Sequence, residues 1–130
     1  MMLTLDTNVL IELDLANKPL ISKLEEMKKD SPSNITIPSI VVSEYYYGFL
    51  RANKREAALK NLEFFEVLNT SKQSSLICAE LKREAEQAGY TIPELDLLIA
   101  SICIDNGVTL VTFDKQFEKV AELKKIILDF

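Results

Sequence analysis

Four acidic residues lie where an α/β chain could bring them to one place. Asp6 directly follows the apolar run Met2–Leu5, and Asp114 follows Leu110-Val111-Thr112-Phe113. Glu44 sits early in a helical pattern whose apolar face includes Ile40, Val41, Tyr45 and Phe49. Asp96 falls in the first turn of a segment that is apolar almost all round, from Leu95 to Ile104, as a buried helix must be. Carboxylates that share a cleft repel and raise one another's pKa values, so such a set needs a cation. Oxygen-only donors suit Mg²⁺ or Mn²⁺. One or two such ions can activate water and stabilise the charge that builds on a phosphodiester.

Each acid also has an ordinary structural use. Asp6 could cap a helix beginning near Val9, although Asn8 is equally able to do so. Asp96 could complement the positive end of its helix, Asp114 could cap a helix over Lys115–Leu123, and Glu44 could be a solvated helix residue. Taken together, these uses leave several carboxylates near one sheet edge without cationic partners.

Composition narrows the chemistry further. The 130 residues contain no histidine, which removes His-based triads, histidine general bases and most zinc sites. Cys78 and Cys103 lie among apolar neighbours in helical stretches and read as small buried hydrophobes. With three glycines there is no phosphate-cradling loop and no organic-cofactor motif. The net charge of −5 argues against a general nucleic-acid binder but not against a nuclease, because acids neutralised by bound cations add to this count. No apolar run reaches the roughly 20 residues that cross a bilayer, and the N-terminus lacks a basic region, so a cytoplasmic location is expected.

The elements that must position the acids alternate. Strands are expected at Met2–Leu5, Ile35–Ile37, Phe64–Leu68, Val108–Thr112 and Ile126–Leu128. Helical patterns cover Val9–Leu15, Pro19–Lys29, Pro38 to about Asn53, Arg55–Leu62, Ser71 to Gly89, Pro93 to Gly107, and Lys115–Leu123. Pro32 and Ser33 mark a short loop between Asp30 and Asn34. Strands separated by helices imply parallel crossovers, hence one three-layer α/β/α domain over residues 1–130. In such folds the functional crevice lies beyond the carboxyl ends of the strands, where Asp6 and Asp114 stand.

Four segments then carry a family resemblance. Leu5-Asp6-Thr7-Asn8-Val9-Leu10 resembles the opening motif of PIN domains, and Ser43-Glu44-Tyr45-Tyr46-Tyr47-Gly48 their second. Gly89-Tyr90-Thr91-Ile92 leading to Asp96-Leu97-Leu98-Ile99-Ala100 is similar to the third, and Gly107 to Phe117 to the fourth. The order is right and the span is essentially the whole chain. The resemblance implies a parallel sheet of about five strands and a divalent-metal ribonuclease site. Asp6, Glu44 and Asp96 match the core metal-binding acids and Asp114 the fourth. Asn8 and Thr112 match supporting positions that orient the site by hydrogen bonds. The fourth motif departs from the family pattern: Lys115-Gln116 follow Asp114, and Glu118 is a conceivable substitute acid.

Length places the resemblance nearest the VapC-type toxins of toxin–antitoxin pairs, which implies an RNA substrate, an antitoxin partner and a homodimer. Tyr45, Tyr46, Tyr47, Phe49 and Leu50 place apolar surface around more of one helix than a single core face needs, as an interface would. A mostly buried helix explains them equally well. Arg51, Lys54, Arg55 and Lys60 read as a solvated helix face that could instead guide phosphates. One rival is a noncatalytic PIN-like module that binds metal or RNA in an assembly. Another, a phospho-acceptor domain, lacks its acceptor, because the third strand runs into Leu68-Asn69-Thr70.

Overall fold

A computed structural model describes residues 1–30 and 34–130. The loop read at Pro32 and Ser33 lies outside the described residues. Five strands form one parallel sheet: β1 (Leu3–Leu5), β2 (Thr36–Pro38), β3 (Glu66–Leu68), β4 (Thr109–Thr112) and β5 (Lys125–Ile127). Their order across the sheet is β3-β2-β1-β4-β5. The helices are α1 (Thr7–Asp14), α2 (Lys18–Asp30), α3 (Ser39–Arg51), α4 (Arg55–Leu62), α5 (Lys72–Ala88) and α6 (Glu94–Asn106). With right-handed crossovers, the step from β1 through β2 to β3 lays α1–α4 on one face, and the return to β4 lays α5 and α6 on the other. The chain thus forms the expected α/β/α sandwich.

The central strands are buried along their length, with Leu3, Leu5, Ile37, Leu110 and Val111 almost wholly inaccessible. That is why they read as continuous apolar runs rather than alternating ones. Helix α6 buries Leu97, Ile99, Ala100, Ser101, Ile102 and Cys103, so it has no distinct polar face. Two helices end where the sequence has glycine, at Gly89 (φ 82°) and Gly107 (φ 63°), each in the left-handed region that suits a residue without Cβ. Helix α5 opens on a capping box in which Ser71 and Ser74 satisfy each other's backbone amides. Cys78 and Cys103 are both free and buried.

The expected helix over Lys115–Leu123 is not present; the chain forms a 3₁₀ turn over Lys115–Lys119 instead. The apolar residues allow the change. Phe117, Val120 and Leu123 are all buried at intervals of three, a spacing that a short 3₁₀ turn holding Phe117, followed by turns, serves as well as an α-helix. The other elements lie within a few residues of expectation.

The sheet has its switch point between β1 and β4: from β1 the chain first moves outward through β2, and later returns to the opposite side with β4. These two strands pair Leu3 with Thr109, Thr4 with Leu110 and Leu5 with Val111. The next residues in register are Asp6 and Thr112.

Candidate active site

Asp6 leaves β1 and becomes the N-cap of α1, its Oδ1 accepting from the Thr7 amide at 2.8 Å. Its own amide stays in the sheet, donating to the Val111 carbonyl at 3.0 Å. The second carboxylate oxygen accepts from the Thr112 hydroxyl at 2.7 Å. The side chain is thereby fixed on both oxygens, and only 6% of the residue is exposed. Burial pushes its carboxyl above the usual range, the bonds from Thr112 and Thr7 pull it back, and the charges of Glu44 and Asp114 push it up again. It is the cap and the central acid together, so the choice between Asp6 and Asn8 resolves in favour of Asp6.

Asn8 has another task. Its Oδ1 accepts from the Phe113 amide at 3.3 Å, tying the start of α1 to the segment after β4. Thr112 does the same from the other side: while donating to Asp6, its hydroxyl accepts from the Asp114 amide at 3.0 Å. Asp114 caps the 3₁₀ turn, Oδ1 accepting from the Gln116 amide at 2.9 Å. Glu44, exposed on α3, is reached by the Thr7 hydroxyl, which donates to its Oε1 at 2.8 Å. Thr7 therefore touches two acids, one through its backbone and one through its side chain. Sequence reasoning assigns Thr7 no role; its position next to Asp6, at the first turn of a helix facing α3, is the only signal that could have found it.

Asp96 enters from α6, whose N-cap is Pro93, and accepts no hydrogen bond among the described residues. Its carboxyl is pushed up to about 6, first by burial and then by the charges of Asp114, Asp6 and Glu44. The charges of the other three sequence-expected acids thus all reach Asp96. Glu118 is exposed and is not among the charges felt by Asp6 or Asp96, so Asp114 is the acid that joins the group. The ion pair seen among the described residues, Arg83 with Glu86 at 3.6 Å, lies away from the cluster on α5. Even Cys103, on α6, has its thiol pushed up to about 12, by burial and then by the Asp6 charge.

No group of three or more acids or cysteines among the described residues is gathered into a ready-made ion cage. The donor set nevertheless suits a hard, hydrated cation, which binds through one or two carboxylates directly and keeps several waters. Thr7 and Thr112 hold two of the acids in place without neutralising them, so a divalent ion would meet an oriented, unneutralised oxygen set.

Beside Glu44 runs an apolar groove of about 530 Å³ between α1, α3 and α4, lined by Ile11, Leu15, Tyr45, Gly48 and Phe49 among others. Tyr45 is buried beneath it; its hydroxyl donates to Asp14 on α1 and accepts from Asn61 Nδ2 on α4 at 3.0 Å. Tyr47 and Leu50 remain exposed, whereas Tyr46 and Phe49 are half-buried. The aromatic-rich helix is therefore partly core and partly open surface.

A parallel five-stranded sheet in this order, with acids converging beyond its switch point, has its counterpart among known proteins. The family model of the PIN domain matches residues 3–123, and the chain belongs to the PIN-domain family. Within the family its similarity runs to VapC proteins: it is 33% identical over 129 residues to Ribonuclease VapC2 of Rickettsia felis, covering 95% of each chain. Among solved structures it resembles VapBC2 from Rickettsia felis bound to a DNA fragment from their promoter. There the TM-score is 0.85 and the identity 31%, over 99% of this chain and 100% of that one. It also resembles DNA-bound VapBC from Salmonella typhimurium (TM-score 0.80, 25% identity, 98% of each chain).

Proposed function

We propose that this chain is a divalent-metal-dependent endoribonuclease that hydrolyses RNA phosphodiester bonds, acting as the toxin of a toxin–antitoxin pair. The observation that carries the reading is the convergence of Asp6, Glu44, Asp96 and Asp114 at one sheet edge, where the charges of the other three make Asp96 harder to ionise and those of Glu44 and Asp114 do the same to Asp6. A scaffold has no need for such a cluster; a site that loads Mg²⁺ or Mn²⁺ does. When bound, the ion supplies an activated water and charge stabilisation at the phosphate. The chain's own share is orientation. Thr112 and the Thr7 amide fix Asp6, the Thr7 hydroxyl aims Glu44, and Asn8 holds the turn after β4 on which Asp114 rides.

The relatives' names support both RNA cleavage and assembly with an antitoxin, the VapB of a VapBC pair. The apolar groove beside Glu44 is compatible with such a partner, and the exposed Tyr47 and Leu50 with a homodimer. Among the described residues no helix is long and apolar enough to cross a membrane, and RNA as substrate makes the cytoplasm the place of action. The whole chain acts as a single PIN-like domain over residues 1–130.

The deciding experiment is cleavage of single-stranded RNA by the purified protein in Mn²⁺, Mg²⁺ and EDTA, beside Asp6→Asn. Metal-dependent cleavage that disappears in the variant is the expected result. Metal binding by titration without cleavage of any RNA offered would favour the noncatalytic module, and no metal binding at all would remove the site.

A further inference from the structure

A second recess, of about 470 Å³, opens beside Asn8 and next to the acids. It is lined by Asn8, Ile11, Glu12, Asn17, Phe113 and Phe130, drawn from α1, the turn after it, the residue before Asp114 and the last residue of the chain. Resting on the ribonuclease reading, we propose that this recess holds one unpaired RNA base next to the scissile phosphate, and that it prefers guanine.

Three features carry this. The first is an aromatic wall: Phe113 and Phe130 meet edge to face with centroids 5.7 Å apart, and Phe130 leaves 56% of its surface exposed. A large exposed aromatic ring gains little from a neighbour's edge alone, and its open face suits stacking by a base. The second is a polar part of the same lining. Asn17 accepts from the Leu20 amide through Oδ1 and donates through Nδ2 to Glu12 Oε2 at 3.0 Å, so the carboxylate is oriented before any ligand arrives. Glu12 Oε1 accepts no hydrogen bond among the described residues, and an ionised carboxylate accepts bidentate donors. Guanine is the base whose Watson–Crick edge presents two adjacent donors, N1–H and N2–H₂. A carboxylate matches that pair, whereas uracil offers one donor, and adenine and cytosine one amino group each.

The third feature is location. Asn8 and Glu12 are one helical turn apart on the same face of α1, and Asn8 bonds the Phe113 amide one residue before Asp114. A base in the recess therefore lies next to the segment that carries Asp114. The lining mixes amides and a carboxylate with rings, which fits a base better than the apolar stripe of a protein helix.

The test uses short fluorescent single-stranded RNAs that differ in one base. Binding is followed by anisotropy and cleavage by product analysis, on the wild type, Phe130→Ala, Phe130→Tyr and Glu12→Gln in Mn²⁺. The expected result is preferred binding and cleavage at guanine. Phe130→Ala should raise KM and Kd about tenfold with kcat nearly unchanged, as for loss of one base–aromatic stack, and Phe130→Tyr should restore both. Glu12→Gln should flatten the preference among bases. Cleavage by the wild type with KM and base preference unmoved in these variants overturns the recess and spares the nuclease. Guanine-selective binding that the variants abolish, without cleavage in any metal, overturns the nuclease and spares the recess. RNA neither bound nor cut overturns both.

Discussion

Asp96→Asn separates a charge cluster built for a cation from four unrelated helix and turn residues. Asp96 has its carboxyl raised from 3.8 to about 6 in the folded protein. An acid raised on folding binds its proton more tightly in the native state, so stability is highest when it is protonated. It falls as pH climbs through the window from about 4 to about 6 and stays low above it. A carboxyl raised across that window sets a ceiling of about 3 kcal/mol. The side chain is partly open to water, which screens the repulsion, so the net effect at neutral pH is on the order of 1 kcal/mol. The favourable position at the helix N-terminus pulls the other way, and the upward direction of the change means that burial and like charge outweigh it.

The Asp96→Asn variant, melted in EDTA at pH 7.5, should therefore be more stable than the wild type by about 1 kcal/mol, a rise of about 4 °C in Tm for a chain of this size. The gap should close by about pH 4, where the wild-type acid is protonated. Adding millimolar Mg²⁺ should reverse the order, because only the wild type gains full binding stabilisation. Thermal melts by circular dichroism across this pH range, with and without the ion, read all three effects. A variant less stable than the wild type in EDTA at pH 7.5, or a gap independent of pH, would refute the repulsion and return Asp96 to the role of a helix-end acid.

Thr112→Val removes the hydroxyl from a wholly buried site and leaves one oxygen of Asp6 unpaired; a loss of about 2 kcal/mol in urea unfolding is expected, with Thr112→Ser close to the wild type. Tyr45→Phe cuts the link joining α1, α3 and α4 and should cost about 1 kcal/mol in the same measurement, with little change in metal affinity by calorimetry. Gly48 lies inside α3, and a Cβ added there would meet nothing within 4 Å. Gly48→Ala should thus raise stability by about 0.5–1 kcal/mol in thermal melts. A loss instead would mean that this stretch of α3 is held by something other than helix propensity.

The acids most legible in the sequence are those pinned by the backbone. Asp6 comes directly after β1 and Asp114 two residues after β4, and parallel strands of matched register must deliver their succeeding residues to one edge. Asp96 is legible because a helix as apolar as α6 has to be buried, which makes a carboxylate in its first turn conspicuous. The Thr7–Glu44 bond is not legible, because it depends on the rotamers of a half-buried hydroxyl and an exposed acid 37 positions apart. Nor is the division of labour between Asp6 and Asn8, since both residue types cap helices equally well and only the tertiary position of Phe113 separates them. The 3₁₀ turn after Asp114 is not legible either, because three apolar residues at intervals of three suit it as well as they suit a helical stripe.

The pairing of β1 with β4 also bears on when the protein acquires its chemistry. The Asp6–Thr112 bond spans 106 positions, and the strand at one end of the sequence finds its inner neighbour only after nearly all the rest has been made. A growing chain thus carries Asp6 and Glu44 long before Asp114 exists, and a partial product has the acids without their arrangement. Such distant pairings close late and slowly. The arrangement of the acids is therefore completed only when the last strands of the sheet have been made.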